Sequence, residues 1–249
     1  MRRSLWPGLV LALRDNLRRQ QERVRLFELG TRFETGTGDM IESLSLAGLA
    51  WGEAWPEQWG TTARPADFYD VKADLVALLS LARPADDLSF VAAAPACLHP
   101  GRSARIEADG RALGWIGELH PHISSQLELK NPPVLFEVDF ESSFSSQLPE
   151  YKEISRFPAI RRDLAIVVAD EISLAQIRES VSVSAGSALQ ELRVFDIYRG
   201  QGIEPGRKSV ALGLILQETS RTLTDAEADQ VVAAVVARLK TDQNATIRD

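Results

Sequence analysis

Three observations predict an α+β protein made of two successive domains. Apolar runs of strand length mostly follow one another or a single helical pattern, the habit of antiparallel sheets with flanking helices. An Asp109-Gly110 pair between two such runs marks a tight hairpin, because this dipeptide accepts the positive φ of a primed turn. A Ser-rich, acidic stretch at Glu141–Glu153, carrying Pro149, separates a first set of elements from a cleaner second set and reads as a linker.

In the first set, Pro7 sits where a helix tolerates proline, in its first turn. Leu9, Leu13 and Leu17 then recur at helical spacing, with Arg14, Arg18 and Arg19 beside them. Val24–Phe33 reads as a strand. So does Ser43–Trp51, where Leu44, Leu46 and Gly48 alternate with Ser43, Ser45 and Ala47. Gly52–Pro65, containing Trp55 and Trp59, is an irregular loop. Phe68, Val71, Leu75, Leu78 and Leu79 mark one face of an amphipathic helix. The Asp109-Gly110 turn joins Ala104–Ala108 to Arg111–Leu119, Pro121 opens a short helix, and Val134–Phe140 is a further strand.

The second set begins with Asp163–Val168, a short apolar run that suits a buried strand. Ser173 and Gln176 form a capping box, two polar groups satisfying orphan helix amides reciprocally, and Leu174, Ile177 and Val181 give that helix its buried face. Leu192–Tyr198 is a strand, Arg199–Gly206 a turn-rich loop, and Lys208–Gln217 a long strand. Thr224 and Glu227 make a second capping box. Ala228, Val231, Val232, Val235 and Leu239 line the core side of the helix that follows, and Ala245–Ile247 closes with a short strand. The order β-α-β-β-α-β is the ferredoxin-like split βαβ arrangement. The expected organisation is a first domain over residues 1–140, a linker over 141–154 and a ferredoxin-like domain over 155–248.

Composition narrows the function. With 45% hydrophobic and 25% charged residues, a buried core is expected and disorder is not. A net charge of -7 argues against a protein whose whole surface grips nucleic acid, while leaving room for a local basic patch. Cys97 is the only cysteine, so no intramolecular disulfide can form, and a reduced, cytoplasmic setting fits. The apolar stretch Leu9–Leu13 is broken by Arg14 and Asp15 without a cleavage signature, and no run approaches the roughly 20 residues that span a bilayer.

The chain has neither a phosphate-binding GxxxxGK[ST] loop nor a GxGxxG after a strand. Glu118, His120 and His122 invite a metal reading, but Pro121 parts the histidines and no fourth ligand is visible, so a polar loop entering a helix is preferred. Cys97 and His99 are too close in a proline-flanked loop to align as nucleophile and base. Asp67, Asp70 and Asp74 form a carboxylate row near a helix start, where such charge is favourable. Arg2, Arg3, Arg14, Arg18, Arg19, Arg23 and Arg25 form either a solvated face or a docking surface for RNA or an acidic subunit. A second cluster lies in the ferredoxin-like domain: Arg156, Phe157, Arg161, Arg162, Tyr198, Arg199, Lys208 and Arg221. Aromatic residues interleaved with cations on such a sheet suit single-stranded RNA, whose bases stack while phosphates meet charge.

Specific motifs sharpen this. Ile154-Ser155-Arg156-Phe157-Pro158-Ala159-Ile160-Arg161-Arg162-Asp163-Leu164, Phe195-Asp196-Ile197-Tyr198-Arg199-Gly200, Gly206-Arg207-Lys208-Ser209 and Thr222-Leu223-Thr224-Asp225 resemble, in order and spacing, the ferredoxin-fold anticodon-binding domain of the bacterial phenylalanyl-tRNA synthetase β-subunit family. Arg3-Ser4-Leu5-Trp6-Pro7-Gly8-Leu9, Leu26-Phe27-Glu28-Leu29-Gly30, Phe68-Tyr69-Asp70-Val71-Lys72, Leu98-His99-Pro100-Gly101 and Gly117-Glu118-Leu119-His120-Pro121 are similar to landmarks of the same family's synthetase-like core.

The resemblance implies a degenerate class II synthetase-like antiparallel domain before the ferredoxin-like one. It also implies a heterotetramer of two α and two β subunits, with ATP- and Mg²⁺-dependent phenylalanylation on α and no cofactor held by this region. Arg25-Leu26-Phe27-Glu28 occupies a motif-2-like place, yet the stretch after Leu129 into Val134–Phe140 holds no glycine or arginine for a late phosphate-binding motif. The domain is therefore expected to be structural, packing against α. Family β subunits are several times longer. On the resemblance this chain begins inside the core, and an editing role is not assigned to it. Arg156, Phe157, Arg161, Arg162, Tyr198, Lys208 and Arg221 are the expected tRNA contacts. A rival reading is a ferredoxin-like regulatory module binding a small molecule, with the first domain as a dimerisation partner.

Overall fold

The computed structural model describes residues 1–35, 39–145 and 154–248. The chain packs as two compact units, Met1–Pro149 and Glu150–Asp249.

The first unit is a six-stranded, wholly antiparallel sheet flanked by helices. Its strands are β1 (Arg23–Thr35), β2 (Met40–Gly52), β3 (Leu88–Ala92), β4 (Leu98–Ala108), β5 (Arg111–Leu119) and β6 (Val134–Asp139), ordered β1-β2-β6-β5-β4-β3. Helix α1 (Trp6–Arg18) lays Leu9, Val10 and Leu13 on one face, against Ala47, Leu49 and Leu135. Helix α2 (Phe68–Leu79) lays Val71, Leu75 and Leu79 on the other, against Leu46, Ala50, Ile116 and Val138. A sheet covered on both sides buries both parities of an inner strand. Residues 45–50 of β2 are accordingly buried without a break, and the expected alternation does not carry over to burial.

Other differences are local. Strand β3 has no counterpart in the sequence reading, and β4 extends back to Leu98. Phe140 does not end a strand. It opens a short helix α4 (Phe140–Phe144) capped by Asp139 Oδ1, which accepts from the Ser142 amide at 2.9 Å. The start of the expected linker is thus helical, with Phe140 and Phe144 packed on the core, while residues 146–153 of it lie outside the described residues. Helix α3 (Pro121–Gln126) starts at proline as expected. Asp109 and Gly110 turn at φ of 52° and 71°, the left-handed pair the hairpin requires.

The edge of the sheet at β1 has a covering of its own. The Phe33 amide donates to the Arg2 carbonyl at 2.9 Å, Arg2 Nε donates to the Thr31 carbonyl at 3.0 Å, and the Arg2 guanidinium meets Glu28 at 2.5 Å.

The second unit has the expected element order. Strands β7 (Ile160–Ala169), β8 (Leu189–Tyr198), β9 (Arg207–Leu216) and β10 (Thr246–Ile247) form an antiparallel sheet ordered β10-β7-β9-β8. Helices α5 (Leu174–Ala185) and α6 (Asp225–Gln243) supply the core with Ile177, Val181, Ala228, Val235 and Leu239. Both capping boxes are present. Leu174 departs from expectation: at the first helical position it points away from the core and is 39% exposed.

Candidate nucleic-acid interface

Period-two alternation divides the second sheet into a helix face and an open face. On β7, Leu164, Ile166 and Val168 are buried in the helix-side core, as are Val210, Leu212, Leu214 and Leu216 on β9. The opposite parity, Arg161, Asp163, Ala165 and Val167, pairs with Ile215, Gly213, Ala211 and Ser209. Across β9 these meet Glu191, Arg193, Asp196 and Tyr198 of β8. The centre of the open face is therefore floored by small residues, with longer cationic and aromatic side chains around it.

A β-bulge between Val194 and Asp196 inserts Phe195 into β8 as an unpaired residue. Phe195 is 54% exposed, and the Arg161 guanidinium carbon stands 5.5 Å from its ring centroid. Arg161 Nε donates to Asp163 Oδ1 at 2.7 Å. At the other end of the face, the Arg248 guanidinium carbon lies 5.3 Å from the Tyr198 ring centroid, and Tyr198 Oη donates to the Gln201 carbonyl at 3.3 Å. Arg193 forms a two-toothed pair with Glu191 at 2.6 and 2.8 Å. Arg207 Nη2 donates to the Val167 and Asn244 carbonyls.

The expected contact residues divide between the two sides. Arg161 and Tyr198 are on the open face. Arg156 is exposed and enters no ion pair among the described residues. Phe157 is half-buried just before β7. Its amide donates to Ser155 Oγ at 3.2 Å, and its carbonyl accepts from Gln217 Nε2. Arg162 has the parity of Leu164 and reaches α6, where it bonds Asp225 at 2.6 Å and Asp229 at 2.9 Å; those bonds raise its pKa. Lys208 has the parity of Val210. Its Nζ donates to the Asp170 carbonyl at 2.8 Å and the Ile172 carbonyl at 2.7 Å, and burial, then the charge of Arg199, lower its pKa. Arg221 pairs with Glu218 at 3.1 Å and Glu227 at 2.8 Å beside the start of α6. Arg162, Lys208 and Arg221 thus make their hydrogen bonds within the fold. Phe195, Arg193 and Arg248 are the open-face residues the sequence reading passed over.

The first unit's charged residues are largely spoken for. Arg25, in its motif-2-like place, bonds Asp74 of α2 at 2.5 Å, and Arg23 donates to the carbonyls of Glu53 and Ala54. Arg14 and Arg18 both approach Asp15, at 3.7 and 3.9 Å. Asp67 and Asp70 form a capping box on α2, and the Arg64 side chain holds the Asp70 carboxyl down at about 2. Glu118 pairs with Arg102 at 3.0 Å, and His120 Nδ1 accepts from the His122 amide to cap α3. His99 Nδ1 accepts from the Gly101 amide, and burial pushes the Cys97 thiol up. No group of three or more His, Cys, Asp or Glu among the described residues is arranged to hold a metal ion.

The second unit is a split βαβ module of the ferredoxin type with an open, arginine-bearing face, and residues 155–248 match the family model of the ferredoxin-fold anticodon binding domain. Residues 1–140 match that of the phenylalanyl tRNA synthetase beta chain CLM domain. The chain belongs to the phenylalanyl-tRNA synthetase β-chain family. Phenylalanine–tRNA ligase beta subunits from Pseudomonas savastanoi pv. phaseolicola and Methylococcus capsulatus are each 43% identical over 248 and 249 residues, covering 100% of this chain and 31% of the relative. The subunit from Nitrosococcus oceani is 43% identical over 250 residues, covering 32% of its length. The chain therefore spans about a third of the curated relatives it matches. Among solved structures, a pyrrolysyl tRNA synthetase from Desulfitobacterium hafniense aligns at 17% identity with a TM-score of 0.42, over 57% of this chain and 47% of that one.

Proposed function

We propose that this chain is the non-catalytic β-subunit region of phenylalanine–tRNA ligase. Residues 155–248 bind the anticodon region of phenylalanine tRNA, and residues 1–140 pack against the catalytic α subunit, where ATP and Mg²⁺ serve phenylalanylation in a cytoplasmic heterotetramer. The observation that carries the reading is the open face of the second sheet. Small residues floor it, Phe195 and Tyr198 offer aromatic rings, Arg248 offers a cation beside Tyr198, and Arg156, exposed in the segment before β7, is a further cation without a carboxylate partner among the described residues. Unpaired bases need a flat surface to stack on and phosphates need free charge, and this face has both.

The contacts assigned to RNA are Arg156, Phe157, Arg161 and Tyr198, joined by Arg248 and Phe195. Arg162, Lys208 and Arg221 support the module through α6 and the β7–α5 turn. The Arg25–Asp74 pair favours a structural first unit, because an arginine held by a carboxylate is not free for an α-phosphate.

The test is binding of the full chain to phenylalanine tRNA, beside a tRNA with an altered anticodon, across a salt series. Affinity should fall with rising salt and with the anticodon change. Equal, feeble binding to both refutes the anticodon role. Thermal stabilisation by a small amino acid instead would favour the regulatory-module reading.

A further inference from the structure

Arg161 is set up differently from a phosphate clamp. Its Nε donates to Asp163 Oδ1 at 2.7 Å, and the two side chains are about half exposed, at 49% and 53%. From β7 the guanidinium reaches across β9 toward Phe195 on β8, and Gly213 lies beneath its path. A Cβ at Gly213 would come within 3.2 Å of Asp163 Oδ1 and 3.4 Å of Arg161 Nε and Nη2. The missing side chain lets the ion pair settle close to the sheet. The bulge brings Phe195 out to meet it, with the guanidinium carbon 5.5 Å from the ring centroid. One carboxylate and one ring therefore fix the orientation of a planar cation that remains open to solvent.

The charge argument decides what such a group accepts. A guanidinium already paired with a carboxylate gains little from a phosphate, since the neighbouring negative charge repels it. Its plane still stacks on a neutral base, and an aromatic ring beside it extends the platform. Arg193, held by Glu191 on the same face, is neutralised in the same way. Resting on the RNA reading above and deepening it, we propose that Arg161 and Phe195 form a stacking station for one unpaired RNA base, and that this station takes no phosphate. Phosphate falls instead to Arg156 and Arg248.

The full chain is titrated with an RNA stem-loop carrying the phenylalanine anticodon, across a salt series. Phe195→Ala and Arg161→Lys should each weaken binding about tenfold at every salt concentration, the loss of one base stack. Lysine keeps the charge and removes the plane, so it would spare a phosphate contact and abolish a stack. Arg161→Gln should leave the slope of log affinity against log salt unchanged, whereas Arg156→Ala should lower it by about 0.7. Full affinity in both Phe195→Ala and Arg161→Lys overturns the assignment while the RNA reading stands. So does a lowered slope in Arg161→Gln. Failure of the unsubstituted chain to bind the stem-loop overturns the RNA reading and the station with it.

Discussion

Lys208 separates the sequence reading from the structural one, and Lys208→Met tests which is right. The substitution keeps the length and apolar stem of the side chain and removes the ammonium. In the folded protein that ammonium donates to two carbonyls, Asp170 at 2.8 Å and Ile172 at 2.7 Å, and so ties β9 to the turn that leads into α5. Hydrogen bonds to a charged group are worth about 1.5–3 kcal/mol each. The Asp170 residue is exposed, so water replaces much of its bond, and burial already disfavours the charged lysine. A net loss of about 2 kcal/mol follows, mostly from the Ile172 carbonyl. Urea unfolding monitored by circular dichroism should show a lower midpoint with an unchanged slope. Under conditions where both proteins are folded, RNA affinity should match the unsubstituted chain. An unchanged midpoint together with a tenfold loss of RNA affinity would refute the argument and return Lys208 to the interface.

Three further outcomes are expected. Thr224→Ala removes the hydroxyl that accepts from the Glu227 amide and should cost about 1 kcal/mol in the same unfolding assay. The Asp70 and Glu227 carboxyls are both held at about 2, chiefly by Arg64 and Arg221, below their unfolded values. Their stabilisation is therefore present above the ordinary carboxylate range and lost as pH falls through about 2. Carboxyl NMR titration should find both resonances moving there, and Glu227→Gln should flatten the acid limb of stability. Because burial raises the Cys97 thiol, alkylation at neutral pH should be slow in the native chain and quicken in denaturant, as mass spectrometry of a labelling time course would record.

Much of the fold was legible because it is encoded locally. A capping box needs residues three apart, and both boxes are where Ser173 and Thr224 place them. The Asp109-Gly110 turn likewise needs only its own two residues. Burial of β2 on both faces was not legible, since the covering helices α1 and α2 come from distant segments. The interface shows a finer division. Arg162 shares the parity of Leu164, Ile166 and Val168, and Lys208 that of Val210, Leu212 and Leu214, so alternation alone would have sent both to the helix side. Tyr198 was beyond such reasoning. Alternation from Leu192 and Val194 puts Phe195 beside Arg193 on the open face but sends Tyr198 to the helix side, and the bulge shifts the parity of β8 by one, bringing Tyr198 onto the face of Phe195.

The Arg2 strap on β1 bears on solubility. A free sheet edge offers unpaired amides and carbonyls to any passing strand, and β1, 13 residues long with Phe27 78% exposed, is the kind of edge that recruits one. By occupying the outward groups of Thr31 and Phe33, Arg2 shortens the length available for pairing, and its charge sits beside what is left. Trimming the first residues would lengthen the open edge, and self-association at high concentration would be the result.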